Sequence, residues 1–179
     1  MASQGPNAPS AASNQELFLT DWTSPTNCWL SDDNYAFVTF TAFDEQSDGL
    51  RANDFGFSIP SGATIDGIVV TVERLCTEPD AVNDASAYIV KGGSTTGTNK
   101  AGGNWSDGGE TASYGGAADL WGTTWTTAQI NASDFGFQIQ AQDNGTFGSE
   151  TAYVDHITIT VYYTEASTGK KLLAMGVGP

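Results

Sequence analysis

The chain has 179 residues, of which 21 are acidic and 6 are basic, so its formal net charge is −15, although charged residues make up only 15% of the total. This length suits one domain, and the small charged fraction excludes a coiled coil, a charged helical bundle and an acidic disordered chain. The negative charge would repel phosphate groups, which argues against nucleic acid and anionic membranes as partners.

The two ends differ in composition from the middle of the chain. Residues 1–14 are mostly Ala, Ser, Asn, Gln and Pro without periodicity, which predicts an N-terminal arm. They lack the basic and apolar regions of a secretion signal, and no stretch of the chain approaches the roughly 18 apolar residues of a membrane span. We therefore predict an arm over 1–14, a β-sandwich domain over 15–164 and a C-terminal arm over 165–179.

Period-two alternation of apolar and polar residues predicts β-strands throughout the middle region. The last predicted strand is the clearest, because Ile157, Ile159 and Val161 would share one face. In chain order, the predicted strands are 17–19, 35–43, 50–59, 68–73, 85–91, 135–142 and 152–163. The pattern predicts an all-β fold, an antiparallel two-sheet sandwich of about eight strands with extended N- and C-terminal arms, and the family resemblance described below implies that this sandwich is a jelly roll.

A short sequence recurs at an offset of 80 residues, as NDFGFSI at 53–59 and SDFGFQI at 133–139. This repeat predicts a pseudo-symmetric sandwich in which each half supplies an equivalent strand with two inward aromatic residues. The predicted core contains Phe55, Phe57, Phe135, Phe137, Ile157, Ile159 and Val161.

Nine glycines lie between Gly92 and Ala118. A long irregular insertion usually serves a function or is ordered by a partner. We expect Trp105 to pack against an adjacent subunit, and Trp121 and Trp125 to close one end of the sandwich. The alternative is that these tryptophans stack on sugar rings.

No motif for catalysis is present. His156 is the only histidine and no nucleophile motif accompanies it, so we predict that the protein is not an enzyme. No cofactor is predicted, with calcium left as an alternative on the loop oxygens of Asp80, Asp84 and Asp143, although no complete twelve-residue ligand loop can be written.

The two cysteines, Cys28 and Cys76, are interpreted as buried thiols or as one disulfide bridge. They are too few for a disulfide scaffold, and their positions match no metal-ligand spacing.

The C-terminal segment is apolar and basic, unlike the domain before it. Such a set of apolar side chains is unusual on the surface of a monomer. We predict that this segment docks onto a neighbouring subunit, or onto a capsid shell if the family resemblance described below holds. The predicted interface residues are Lys170, Lys171, Leu172, Leu173, Met175 and Val177, together with Trp105.

Four segments carry a resemblance to a known family: DDNYAFVTF at 32–40, FGFSIPSGATIDGIVVTVER at 55–74, DLWGTTW at 119–125 and VDHITITVYY at 154–163. The chain resembles the jelly-roll virion structural proteins of tailed bacteriophages. The resemblance implies a capsid decoration (cement) protein on the virion surface, made in the host cytoplasm. Its partners would be the major capsid protein and copies of itself, with a trimer favoured. The alternative is a carbohydrate-binding module or receptor-binding adhesin of a phage fibre or tail that binds a host glycan.

Overall fold

A computed structural model describes residues 1–17, 19–145 and 149–167 of the chain. Within these ranges the protein is almost entirely β-structure. The strands are β1 (Ala2–Asn7), β2 (Ala11–Gln15), β3 (Ala36–Thr39), β4 (Gly49–Asn53), β5 (Thr64–Cys76), β6 (Val82–Lys91), β7 (Ser94–Thr96), β8 (Glu110–Gly116), β9 (Gly136–Asp143) and β10 (Thr151–Thr164). A 3₁₀ helix over Pro25–Cys28 and a single-turn helix α1 over Thr127–Ile130 complete the described structure.

The strands form two antiparallel sheets. In sheet A the order is β1-β10-β5-β8, and β3 pairs with the same edge of β10 as β1 does, at the opposite end of that strand. In sheet B the order is β2-β4-β9-β6-β7. Without β1 and β2, the orders β3-β10-β5-β8 and β4-β9-β6-β7 are those of a jelly roll. The predicted fold class is therefore confirmed.

The core lies between the two sheets and follows from the alternation along the long strands. In β5, Ile68, Val70 and Val72 are fully buried, and their neighbours Val69 and Thr71 are partly exposed on the outer face. All of the predicted core residues are buried: Phe55, Phe57, Phe135, Phe137, Ile157, Ile159 and Val161. Period two thus identified the inward face of the central strands correctly.

The repeated sequence has different structures in its two copies. The second copy continues into β9, where a Cβ on Gly136 would lie 2.1 Å from the carbonyl oxygen of Ala52, so only glycine fits there. The first copy leaves β4 at Asp54, whose φ is +60°, and is not a strand. Both copies still bury their aromatic residues, and Phe57 meets Phe135 edge-on at 5.8 Å between ring centroids. The prediction of equivalent strands was wrong, because a positive φ at Asp54 turns the chain away from the sheet.

The N-terminal segment is not an arm. Strand β1 pairs with β10, and β2 pairs with β4, so each forms an edge strand of one sheet. Edge strands are held mainly by backbone hydrogen bonds and expose much of their side-chain surface, so they need no apolar alternation. Of the predicted C-terminal arm, only 165–167 belong to the described residues, and Lys170 to Val177 lie outside them.

The Gly-rich region is part of the sandwich. It contributes β7 and β8, and Trp105 and Tyr114 are buried in the chain's own core. Trp121 is also fully buried and donates a hydrogen bond from Nε1 to the carbonyl of Ile68, and Trp125 packs edge-on against Phe135. The prediction that Trp105 packs against another subunit was wrong, since its indole has no exposed surface.

Trp105 belongs to a buried polar network centred on Asp84. The Asp84 carboxylate accepts hydrogen bonds from Arg74 Nη1, from Trp105 Nε1 at 2.8 Å, from the Tyr114 hydroxyl at 2.9 Å and from the Gly102 amide at 3.2 Å. The Arg74 guanidinium also lies 4.9 Å from the centroid of the Trp105 ring. Four residues from three regions of the sequence are thus tied to one carboxylate.

We expect Asp84→Ala to lower the free energy of unfolding by about 3–5 kcal/mol, because it leaves the Arg74 charge buried beside unpaired donors. Urea denaturation followed by tryptophan fluorescence would measure the loss. Asp107→Ala is a suitable control, since Asp107 is exposed in the same Gly-rich region, and it should change stability by less than about 0.5 kcal/mol. Equal effects in the two variants would contradict this interpretation of the network.

In the described part of the chain, no helix has the length and apolar character needed to cross a membrane.

Candidate functional site

A groove of about 520 Å³ lies on the outer face of sheet A. Its floor comes from β5 and β10, one wall from the loop before β3, and the other wall from the turn that leads into β8. Its polar and aromatic lining includes Asp33, Tyr35, Glu73, Leu75, Thr111 and Asp155. Sites of this volume are typical for small-molecule ligands.

Strand alternation and one β-bulge place the floor residues. Glu73 and Leu75 alternate with the inward residues of β5, so they point to the outer face. On β10, Val154 pairs with Arg74 and His156 pairs with Glu73, which leaves Asp155 as an extra residue in the ladder. Such a bulge redirects a side chain and often occurs beside functional sites.

Three aromatic side chains lie together beside the groove. Tyr153 on β10 contacts Tyr35 edge-on at 5.4 Å and lies 6.1 Å from Phe37, as measured between ring centroids. Phe37 is the partner of Tyr153 across the β3–β10 pair, and Leu75 is its partner across the β5–β10 pair. The outer face of sheet A therefore carries a strip of aromatic surface that continues into the groove through Tyr35, and we call these three residues the aromatic strip.

The groove is rich in hydrogen-bond acceptors. Asp33 accepts from the Tyr35 hydroxyl at 3.2 Å, and Asp155 accepts from the Asp32 amide at 3.4 Å. Arg74 adds no free positive charge, because its guanidinium is bound to Asp84 and, at 2.8 Å, to Glu110. The site thus presents carboxylates next to aromatic rings.

Burial and the negative charge of the groove both act on the pKa of Asp155. Burial raises the pKa of this carboxyl above its usual range, and the charges of Glu73, Asp33 and Asp32 raise it further. A raised pKa means that the folded protein holds the Asp155 proton more tightly than the unfolded chain does. The ionised group therefore opposes folding at pH values above its folded-state pKa.

We expect Asp155→Asn to raise the melting temperature at pH 7, because the amide removes a partly buried charge and keeps an oxygen acceptor for the Asp32 amide. The difference from the wild-type chain should shrink as the pH falls toward 4, where Asp155 takes up its proton in both states. Thermal unfolding by circular dichroism at several pH values would check this. The exposed Asp107→Asn is the control, and a lower melting temperature for Asp155→Asn at pH 7 would contradict the sign of the effect.

A second, smaller pocket of about 300 Å³ adjoins the loop that walls the groove. Trp29 lines it, and its Nε1 is buried without a hydrogen-bond partner among the described residues. Trp29 also pairs through its backbone with His156 on β10. His156 lies half-buried on the outer face of that strand, as predicted.

The outer face of sheet B is polar and flat by comparison. Gln138 accepts two hydrogen bonds from Arg51, at 3.0 and 2.8 Å, and the hydroxyl of Ser86 donates to Gln140 at 2.6 Å. These amides are occupied by neighbouring side chains. Tyr88 is half-buried on this face, opposite Gln138, which makes it a useful reference for the tyrosines of the groove.

The three calcium candidates have different surroundings. Asp84 is occupied by the donors of the buried network, so the prediction of Asp84 as a calcium ligand was wrong. Asp80 is exposed in a turn with φ of +63°, and Asp143 is buried with one carboxylate oxygen unpaired. Within the described ranges, no three His, Cys, Asp or Glu side chains stand together in a way that could hold a metal ion. Calcium binding stays an alternative to the prediction of no cofactor.

Both cysteines are free and buried. Burial raises the pKa of the Cys28 thiol to about 12 and also raises that of Cys76. The structure therefore agrees with the interpretation of Cys28 and Cys76 as buried thiols, and not with a disulfide bridge between them.

Comparison with known proteins gives no family assignment. No protein-family model and no curated protein matches the chain. Among solved structures, one described as "CBM4 structure and function" is 18% identical, with a TM-score of 0.42 over 73% of this chain and 85% of its own. The N-terminal cellulose-binding domain of Cellulomonas fimi β-1,4-glucanase C is 15% identical, with a TM-score of 0.40 over 88% of this chain and 92% of its own. Similarity at this level does not extend to a ligand.

These findings leave the virion assignment as a prediction. The predicted attachment residues Lys170, Lys171, Leu172, Leu173, Met175 and Val177 lie outside the described residues. The sequence did identify strands 35–43 and 152–163, which hold the aromatic strip, but it did not single out the strip or the groove. The sequence signal that could have indicated the strip and the groove was the presence of aromatic residues at the outward positions of these strands, where alternation favours polar residues.

Proposed function

We propose that this protein is a non-catalytic glycan-binding sandwich whose groove on sheet A takes an uncharged oligosaccharide. The observation that supports this most directly is the contact of the aromatic strip with a groove lined by carboxylates. Sugar rings offer both apolar C–H faces and hydroxyl donors, and this surface supplies a partner for each.

The aromatic part of the site fits the C–H face of a sugar. The strip is partly exposed, and Tyr153 is held in place by Tyr35 on one side and Phe37 on the other. Because their positions are fixed by strand pairing, these rings lose little conformational freedom when a ligand covers them. Rings that are already held in position favour binding, because a ligand buries their exposed surface.

The polar part of the site fits the hydroxyl groups. Asp33, Glu73 and Asp155 supply acceptors for O–H donors, and hydrogen bonds to an ionised acceptor are stronger than those between neutral groups. Thr111 and Tyr35 supply hydroxyls that both donate and accept. The same carboxylates would repel a uronic or sialic acid, so the groove should discriminate against acidic glycans.

Binding by the groove can be measured by affinity electrophoresis in gels containing soluble β-glucan, xylan or mannan, with alginate as the acidic comparison. We expect retardation by at least one neutral polymer and none by alginate. Tyr35→Ala and Tyr153→Ala should each weaken binding about tenfold, which corresponds to ~1.4 kcal/mol, since each removes one ring of the strip. Tyr35→Phe should retain most of the affinity, because the ring remains.

Tyr88→Ala is the matched control, since it removes a tyrosine of similar exposure from the outer face of sheet B. If Tyr88→Ala abolishes binding and the groove variants do not, the ligand lies on sheet B and the proposal is wrong. Incubation of the wild-type chain with each bound polymer should release no reducing ends. Release that depends on Glu73 or Asp155 would overturn the non-catalytic part of the proposal.

A further inference from the structure

Three apolar side chains are exposed at one tip of the sandwich. Leu17 is 46% exposed, Leu19 is 44% exposed and Phe43 is 63% exposed. They lie on two segments that are joined by the Thr20 amide, which donates to the Gln46 carbonyl at 3.2 Å, and by the Thr20 hydroxyl, which donates to Glu45. We call Leu17, Leu19 and Phe43 the tip patch. Large apolar side chains exposed on adjoining segments favour an interaction site.

The tip patch is surrounded by acidic residues. Asp48 accepts hydrogen bonds from the amides of Leu17 and Leu19, at 2.9 and 3.0 Å, and so holds these residues in place. Asp44 is next to Phe43 and Glu16 is next to Leu17 in the chain. The pKa of Asp21 is raised by a hydrogen bond to Asp48 and by the charges of Asp48 and Glu16, which shows how concentrated the negative charge is here. A partner for this tip should therefore combine apolar side chains with positive charge.

The chain itself contains such a segment. Lys170 and Lys171 directly precede Leu172 and Leu173, and they are two of the six basic residues in the sequence. Nowhere else in the sequence do two basic residues stand next to each other. We propose that the tip patch binds residues 170–173 of a second copy of this chain.

The geometry of β10 explains why the partner is a second copy. The tip patch lies beyond the Thr151 end of this strand, since the Phe40 amide donates to the Glu150 carbonyl just before β10 begins. The C-terminal segment leaves from the Thr164 end, where Ala166 lies near Gly62. At about 3.3 Å per residue, the 14 residues of β10 separate these ends by roughly 40 Å. Leu173 can lie at most about 32 Å from Thr164, so Leu172 and Leu173 cannot reach the tip patch of their own chain.

A contact of this kind joins unlike surfaces of two copies. The pair then keeps one free tip patch and one free C-terminal segment, so association continues until a ring closes or a chain of subunits grows. This property makes the proposal testable by complementation. One variant that lacks the tip patch and another that lacks the segment should each be unable to self-associate, but together they still hold one intact copy of each surface.

The experiment is sedimentation velocity of the full chain at about 1–200 μM, the range in which weak to moderate interfaces associate. The tip variant carries Leu19→Asp and Phe43→Asp, and the segment variant carries Leu172→Asp and Leu173→Asp. We expect the wild-type chain to associate as its concentration rises, and each variant to associate at least tenfold more weakly. An equimolar mixture of the two variants should form a heterodimer and nothing larger.

Leu30→Asp is the control, because Leu30 is 64% exposed but lies outside the tip patch, and it should associate like the wild-type chain. Circular dichroism should show that the tip variant is folded, and Leu19→Ser with Phe43→Ser replaces it if it is not. The proposal is wrong if the wild-type chain stays monomeric, if the mixture forms no heterodimer, or if Leu30→Asp abolishes association as well. If the wild-type chain stays monomeric, the partner of the tip patch is a molecule other than this chain.

Discussion

The pairing of β5 with β10 is the constraint on which the rest of this molecule depends. These are the two longest strands, and they pair from Ala152 and Cys76 at one end to Thr164 and Thr64 at the other. Their inward residues supply much of the core, while their outward residues form the floor of the groove. Because the side-chain period is two, a shift of one residue in this ladder would exchange core and groove. The ladder departs from regular pairing at two places, at Asp155 on β10 and at Asp66 on β5, opposite the step from Tyr162 to Tyr163.

Arg74 connects the core to the groove. It occupies an inward position of β5, where a charge would ordinarily be costly, and the network around Asp84 compensates for that cost. Its Nε also binds Glu110, which lies at the start of β8 and lines the groove. The wall of the site is thus fixed by a side chain that belongs to the interior. This arrangement neutralises Arg74 and leaves the groove acidic.

The sequence was most informative where one face of a strand is buried and the other is not. Strands β5, β9 and β10 satisfy this condition, and their inward residues could be assigned from alternation alone. Strands β1 and β2 could not be found, because edge strands depend on backbone pairing that leaves no trace in a polar sequence. Trp105 was misplaced for another reason. Its partner Asp84 is 21 residues away, and no local pattern in a Gly-rich region indicates such a contact.

The site was less predictable than the fold, since it is assembled from four separate regions of the sequence. Tyr35 and Phe37 precede Tyr153 by more than a hundred residues, and only the pairing of β3 with β10 brings them together. The bulge at Asp155 depends on the register of two strands, which the sequence of one strand does not contain. Asp84 illustrates the same limit, because the sequence offered this acidic residue as a candidate calcium ligand, and the fold directs it inward to Arg74.

The small number of basic residues limits how copies of this acidic chain can attract one another. Of the six basic residues, Arg74 is buried, Arg51 is bound to Gln138, and Lys100 pairs with Asp119 at 2.7 Å. The described surface therefore has little positive charge with which copies of the chain could attract one another, and Lys170 and Lys171 follow the last described strand in the sequence. If copies join tip to tail through these residues, the grooves repeat along the assembly. Several weak sites held together in this way bind a polymeric glycan far more strongly than one site does.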